Sequence, residues 1–189
     1  MFMPEHRWVV MGFGIVCVLM SMGVTTIQAG ESTSLYGIGQ PAKDAEVQAW
    51  DIDISPSGKG LPPGKGTVNR GSAIFSAKCA MCHGQTGVEG PMNRLVGGKG
   101  SLKKAEPIKT IGSYWPYATT LYDYIHRAMP YIAPQSLKPD EVYSLVAWLL
   151  YRNGLIPKDA EMNAETLLKV RMPNRDGFVP DPLPGTSFR

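Results

Sequence analysis

The amino-acid sequence predicts a mainly α-helical domain over residues 67–154, with irregular extensions on both sides. Three observations support this fold class. A helix is predicted to begin after Thr67, and a strongly periodic apolar segment follows between Pro139 and Asn153. The 189 residues also include 21 glycines and 16 prolines, a composition that favours a loop-rich fold over a continuous helical bundle.

The first helix of the domain is predicted from Val68 to about Ala80, with Thr67 as its N-cap. Gly71 and Phe75 lie four residues apart, on one face of this helix. A glycine inside a helix costs about 1 kcal/mol relative to alanine. Gly71 therefore indicates that another helix approaches closely at this point.

Two more helices are predicted in the same domain. A short one, over residues 119–128, ends at Met129-Pro130, because a residue that precedes proline disfavours the α region. The last one, over residues 139–153, has the acidic first turn and the closing Gly154 that are typical of helix ends. Its apolar side chains follow the i, i+3, i+4, i+7 spacing: Val142, Leu145, Val146, Leu149 and Leu150.

The segments outside this domain carry few apolar side chains. Residues 30–66 predict an arm with one short helix between Lys43 and Trp50, which packs against the domain or against a partner. We expect Trp50 to be a packing anchor of this arm. Residues 155–189 predict a tail with about one helical turn near residues 164–170.

The chemistry of the chain is predicted from Cys79-Ala80-Met81-Cys82-His83, which has the C-x-x-C-H pattern of covalent haem attachment. Residues three apart lie on one face of a helical turn, so both sulfurs reach the two vinyl groups at one porphyrin edge. His83 then offers a neutral imidazole nitrogen to the iron. The single motif predicts one covalently bound haem c, held by Cys79, Cys82 and His83.

Two other uses of a C-x-x-C motif fit the sequence less well. A redox dithiol is expected near a βαβ pattern, which the sequence lacks. A zinc site needs further ligands, but the only other cysteine is Cys17, and no second C-x-x-C or H-x-x-x-H is present.

Met129 is the best candidate for the sixth ligand of the iron. It comes well after His83 in the sequence, at the end of a predicted helix, and Pro130 restricts its backbone. Thioether ligation raises the reduction potential and suits electron transfer. The alternatives are an open site or one of four other side chains: Met92, His126, Met162 and Met172.

Residues 1–29 have the pattern of an export signal. Arg7 provides the positive charge, residues 8–24 are mostly apolar, and Ile27-Gln28-Ala29 is an acceptable cleavage site. An uncleaved membrane anchor is the alternative, since the apolar run approaches the ~20 residues that span a bilayer. Because this type of haem attachment takes place outside the bacterial cytoplasm, we expect the protein in the periplasm.

The formal net charge of +3 does not favour binding to nucleic acid, and no basic patch with interleaved aromatic residues is present. The clearest charge bias is a lysine-rich run over residues 99–109. Such a run is usually solvated, and a role in docking is the alternative.

Over residues 67–154 the chain resembles the class I cytochromes c. The resemblance depends on these motifs: Gly71-x-x-x-Phe75, Cys79-x-x-Cys82-His83, Gly90-Pro91, Met129-Pro130 and Leu145-Val146-Ala147-Trp148-Leu149. It implies the class I cytochrome c fold, with three to five helices around one covalently bound haem. The first and last helices would cross near Gly71. The Pro91 carbonyl would hold His83, and Met129 would be the distal ligand.

A closer resemblance covers nearly the whole mature chain. The chain is similar to the cytochrome subunit of the bacterial Sox sulfane dehydrogenase and of related sulfite dehydrogenases. The segments that carry this similarity are Ala49-Trp50-Asp51-Ile52-Asp53, residues 60–64, 112–117 and 129–137, and Val170-x-Met172-Pro173-Asn174-Arg175-x-Gly177-Phe178. The resemblance implies that a molybdenum-cofactor subunit donates electrons to the haem and that a downstream cytochrome or oxidase accepts them. The chain would then be an electron-transfer subunit rather than a catalyst on its own.

Two other functions stay open from the sequence. The first is a freely diffusing electron shuttle without a dedicated partner subunit. The second is a haem enzyme or sensor with an open distal site, to which carbon monoxide would bind readily in the reduced state.

Overall fold

The computed structural model describes Tyr36 and residues 38–179. The predicted export signal and the end of the tail lie outside the described residues. All the elements below belong to the second of two compact units, Ala42–Arg189. Within the described part of the chain, no helix is long and apolar enough to cross a membrane.

The second unit is mainly helical, as predicted, with the addition of a small sheet. Its elements in chain order are α1 (Asp44–Trp50), β1 (Lys65–Thr67), α2 (Val68–Lys78), α3 (Ala80–His83), α4 (Ala118–Ala128), α5 (Pro139–Arg152), β2 (Glu161–Asn163) and α6 (Ala164–Leu168). This helical architecture agrees with the fold that the resemblance to class I cytochromes c implies.

Helices α2 and α5 cross at Gly71, as expected. A Cβ atom on Gly71 would collide with the Ser144 carbonyl and would lie 2.8 Å from Cβ of Trp148. The absent side chain thus lets the two helix backbones approach closely. One turn later the rings of Phe75 and Trp148 stack, with their centroids 3.9 Å apart and 28° between their planes. At the end of α2, Lys78 forms an ion pair with Glu141, with 2.9 Å between Nζ and Oε1.

Both ends of α5 have the local bonds that its sequence predicts. At the start, Oε2 of Glu141 accepts the backbone N–H of Lys138 at 2.9 Å, so one of the unpaired groups at the helix start is satisfied. At the other end Gly154 adopts a φ of +66°. Its N–H donates to the Tyr151 carbonyl, and the N–H of Leu155 donates to the Leu150 carbonyl, which is the Schellman arrangement.

The residues that follow α5 are part of the same core. β2 pairs antiparallel with β1, so that Gly66 lies opposite Met162. Met162, Leu167 and Met172 are all buried in the hydrophobic core that α2, α4 and α5 form. The sequence predicted the helical turn of α6 but not the sheet, because three-residue strands show too little alternation to be recognised.

The arm that precedes β1 is held at points other than the predicted anchor. Trp50 is 87% exposed, and α1 buries none of its residues, so packing of Trp50 on the domain is wrong. Instead, Ile54 is buried and its N–H donates to Oδ1 of Asp123 at 2.8 Å. The buried Ile54 side chain and this bond from its N–H to a carboxylate therefore hold the arm where Trp50 does not.

Candidate haem site

Cys79, Cys82 and His83 lie on one helical turn. Cys79 ends α2 and precedes α3, and its carbonyl accepts the N–H groups of Cys82 (3.1 Å) and His83 (3.0 Å). Both cysteines are free thiols and partly exposed. The three predicted attachment residues are therefore brought together by local backbone bonds alone.

The thiol of Cys79 is held in its neutral form. Burial raises its pKa to about 11, and the nearby Lys78 ammonium opposes this only in part. Because the thiolate is the reactive form of cysteine, a neutral thiol resists oxidation. The environment of Cys79 thus keeps this thiol from being oxidised readily in the folded chain.

His83 has one nitrogen engaged and one available. Its Nδ1 lies 2.9 Å from the carbonyl oxygen of Asn93, which fits donation from a protonated Nδ1. Nε2 makes no hydrogen bond with any described residue, and an imidazole with this tautomer presents its Nε2 lone pair to a metal. The expected acceptor, the Pro91 carbonyl, was wrong. The N–H of Met92 bonds to the Cys82 carbonyl at 2.9 Å, and the carbonyl that reaches the ring is that of Asn93, two residues after Pro91.

Met129 lies at the C-terminal end of α4. Its N–H donates to the Ile125 carbonyl at 3.1 Å, and its partly buried side chain packs against the core. Two of the other candidate methionines, Met162 and Met172, are 4% and 1% exposed and are part of the hydrophobic core, whereas Met92 is 59% exposed. These environments favour Met129 among the methionines.

His126, the other candidate for the sixth ligand, has a buried ring nitrogen without a hydrogen-bond partner among the described residues. This nitrogen is Nδ1, and the Tyr122 hydroxyl is likewise buried without a partner among them. The two rings lie one turn apart on α4, with 6.1 Å between their centroids. Unpaired buried polar atoms are uncommon in folded proteins, so His126 stays an alternative ligand.

The last two turns of α4, which precede Met129, are fixed by a buried carboxylate. Asp123 accepts bonds from Nε of Arg127 at 2.8 Å and from the Ile54 N–H. Burial alone would raise the pKa of Asp123, but the bonds from Arg127 and Ile54 outweigh it and lower the pKa below its ordinary value. The charged carboxylate thus ties α4 to the N-terminal arm.

Comparison with known proteins agrees with this geometry. Residues 66–149 match the family model described as cytochrome c oxidase, cbb3-type, subunit III. A chain in the crystal structure of the sulfane dehydrogenase SoxCD from Paracoccus pantotrophus is 47% identical, with a TM-score of 0.71 over 77% of this chain and 72% of that chain. The chain belongs to the class I c-type cytochromes of the Sox type. No curated protein matches it.

The family of this Sox-type cytochrome implies haem c as its cofactor, and the residues present fit that group. Two unbridged thiols and an imidazole with a free Nε2 share one turn, which is the donor set that covalent haem requires. The described residues contain no group of three or more His, Cys, Asp or Glu side chains that could hold a metal ion. Electron transfer through haem is the chemistry of this family.

Proposed function

We propose that this cytochrome is the periplasmic, monohaem electron-transfer subunit of a sulfur-compound dehydrogenase. The observation that carries the proposal is the C-x-x-C-H turn, in which Nδ1 of His83 bonds to a backbone carbonyl and Nε2 has no partner among the described residues. The chain that carries this turn is 47% identical to part of a sulfane dehydrogenase. In this role the chain moves single electrons and does not itself act on the sulfur compound.

The residues of the chain would hold the cofactor in a fixed geometry. Bound haem supplies a reversible one-electron couple at its iron. Cys79 and Cys82 would form thioethers with its vinyl groups, and His83 and Met129 would be the protein ligands of its iron. Because both ligands are side chains held by the fold, little would rearrange between the two oxidation states, and electrons would transfer without large motions of the protein.

A molybdenum-cofactor subunit is the proposed electron donor, and a downstream cytochrome or oxidase is the proposed acceptor. The similarity to a chain of SoxCD supports the donor. The exposed apolar side chains Val47 and Trp50, which lie on one face of α1, support a dedicated partner, because exposed aromatic side chains are enriched at interfaces. The export pattern of residues 1–29 supports the periplasm.

The test is gentle affinity purification of the haem-loaded, full-length chain from its native periplasm, followed by mass spectrometry. We expect a stoichiometric molybdenum-cofactor protein to be purified with it at ordinary salt. A haem-loaded chain that is purified alone would contradict the subunit proposal and favour the freely diffusing shuttle. Recovery of the chain in the membrane fraction would favour an uncleaved anchor.

A further inference from the structure

A glycine-rich turn, residues 84–90, follows His83 directly, and the side chain of Glu89 folds back onto it. Its Oε1 accepts the N–H of Thr86 at 3.0 Å, and its Oε2 accepts the Thr86 hydroxyl at 2.5 Å and the N–H of Val88 at 3.1 Å. These bonds, of which the one from the hydroxyl has the largest effect, lower the pKa of Glu89 to about 2. The carboxylate is therefore charged at neutral pH and closes the turn.

The closed turn also positions the segment that follows it, residues 92–96. The carbonyl of Gly87, in the middle of the turn, accepts the N–H groups of Leu95 (2.8 Å) and Val96 (3.2 Å). On the other side, the N–H of Met92 donates to the Cys82 carbonyl at 2.9 Å. The residues between Met92 and Leu95 are thus held at both ends.

Asn93 lies between these two anchors, and its carbonyl oxygen is the atom 2.9 Å from Nδ1 of His83. Since this acceptor is a backbone atom, its position depends on the bonds of the neighbouring backbone and not on the Asn93 side chain. An acceptor on the outer nitrogen of a ligating histidine fixes the ring orientation and makes the ligand more basic.

We propose that Glu89 is a positioning residue for His83, because its carboxylate holds the turn that fixes the Asn93 carbonyl against Nδ1. This inference rests on the proposed function, in which His83 ligates the haem iron. Without the carboxylate, Thr86 and Val88 lose their acceptor and the turn gains conformational freedom. The bond from Nδ1 then weakens, the imidazole becomes a poorer donor, and the ferric state loses stabilisation.

The test uses the haem-loaded protein and two measurements. The first is the exchange of the His83 Nδ1 proton with solvent, followed by NMR in the reduced state. The second is the reduction equilibrium against a common mediator. We expect Glu89→Ala to speed this exchange and to shift the equilibrium towards the ferrous form. For comparison, substitutions of such supporting residues change metal affinity or activity by about 10–100-fold.

Two milder variants separate positioning from folding. Glu89→Gln keeps one acceptor oxygen and should give an intermediate shift. Thr86→Val removes the hydroxyl bond to Glu89 without changing the net charge, and should shift both measurements in the same direction. A Glu89 variant that loses thermal stability but keeps the exchange rate of the wild type would overturn the positioning role.

The charge control is Glu106→Ala. Glu106 is exposed and makes no ion pair with the described residues, so this variant removes the same charge without touching the turn. Equal shifts for the Glu89 and Glu106 variants would mean a surface-charge effect only and would overturn the inference. A wild-type spectrum without haem-shifted His83 resonances would instead overturn the ligand role of His83, and with it the proposed function.

Discussion

The segment that carries His83 and the segment that carries Met129 are built in different ways. Within residues 79–96, backbone bonds join each turn to the next, from the Cys79 carbonyl to the Gly87 carbonyl. Residues 129–137 are held by few bonds of their own, and Tyr131 and Ile132 are 82% and 84% exposed. Thus the site of His83 forms locally, whereas the position of Met129 depends on the packing of α4.

The largest effect on the haem spectrum is expected from a substitution of His83, on the segment that local backbone bonds hold. His83→Ala should abolish low-spin haem, because it removes the imidazole that we propose as a ligand of the iron. The measurement is the haem content and the absorption spectrum of the purified chain. His126→Ala is the matched control, and its spectrum should be that of the wild type. A lost low-spin spectrum in His126→Ala would make His126 the axial ligand.

A smaller effect is expected on the other side. Met129→Ala should keep the covalent haem but remove the sulfur-to-iron absorption band of the oxidised protein and lower its potential, since thioether ligation raises the potential. Carbon monoxide should then bind readily to the reduced protein. Met92→Ala, at an exposed methionine, is the control. If the band survives in Met129→Ala, this methionine is not the ligand.

Helix α2, which leads to His83, crosses α5, and α5 also packs against α4. Gly71→Ala should destabilise the fold by about 1–3 kcal/mol, because the added methyl group collides with the Ser144 carbonyl. The free energy of unfolding in denaturant measures this effect. Ser72→Ala, at an exposed position of the same helix, should change it little. Equal stabilities for the two variants would mean that the crossing tolerates a side chain.

The stability of α4, the helix that precedes Met129, should depend on pH through Asp123. The pKa of Asp123 is lowered in the folded protein, so its bonds stabilise the fold above its unfolded pKa, about 3.9, and this stability is lost as the pH falls through the folded value. Asp123→Asn should cost about 1–2 kcal/mol at pH 7, and the difference should shrink in acid. Asp176→Asn, in an exposed ion pair, is the control, and an equal pH dependence would contradict the role of Asp123.

The smallest effect on the chain itself is expected at α1. Trp50→Ala should leave stability and spectrum unchanged, because Trp50 is exposed. It should nevertheless reduce the amount of partner protein that is purified with the chain. Unchanged recovery of the partner would remove α1 from the proposed interface.

The amino-acid sequence was enough to predict those parts of the molecule that depend on short spacings along the chain. Thr67 as an N-cap, the helix predicted over residues 139–153 and the shared turn of Cys79 and His83 all follow from residues within a few positions of each other. Helix caps and helical periodicity are local properties, which is why these predictions agree with the structure.

Only the folded chain shows which groups that are distant in the sequence form hydrogen bonds with each other. The acceptor of His83 is the Asn93 carbonyl rather than that of Pro91, because the path of a glycine-rich turn is set by bonds that residue types do not reveal. In the same way, Ile54 rather than Trp50 fastens the arm, through the Asp123 carboxylate. Backbone carbonyls and N–H groups are present at nearly every residue, so only the folded chain selects the pair that forms a bond.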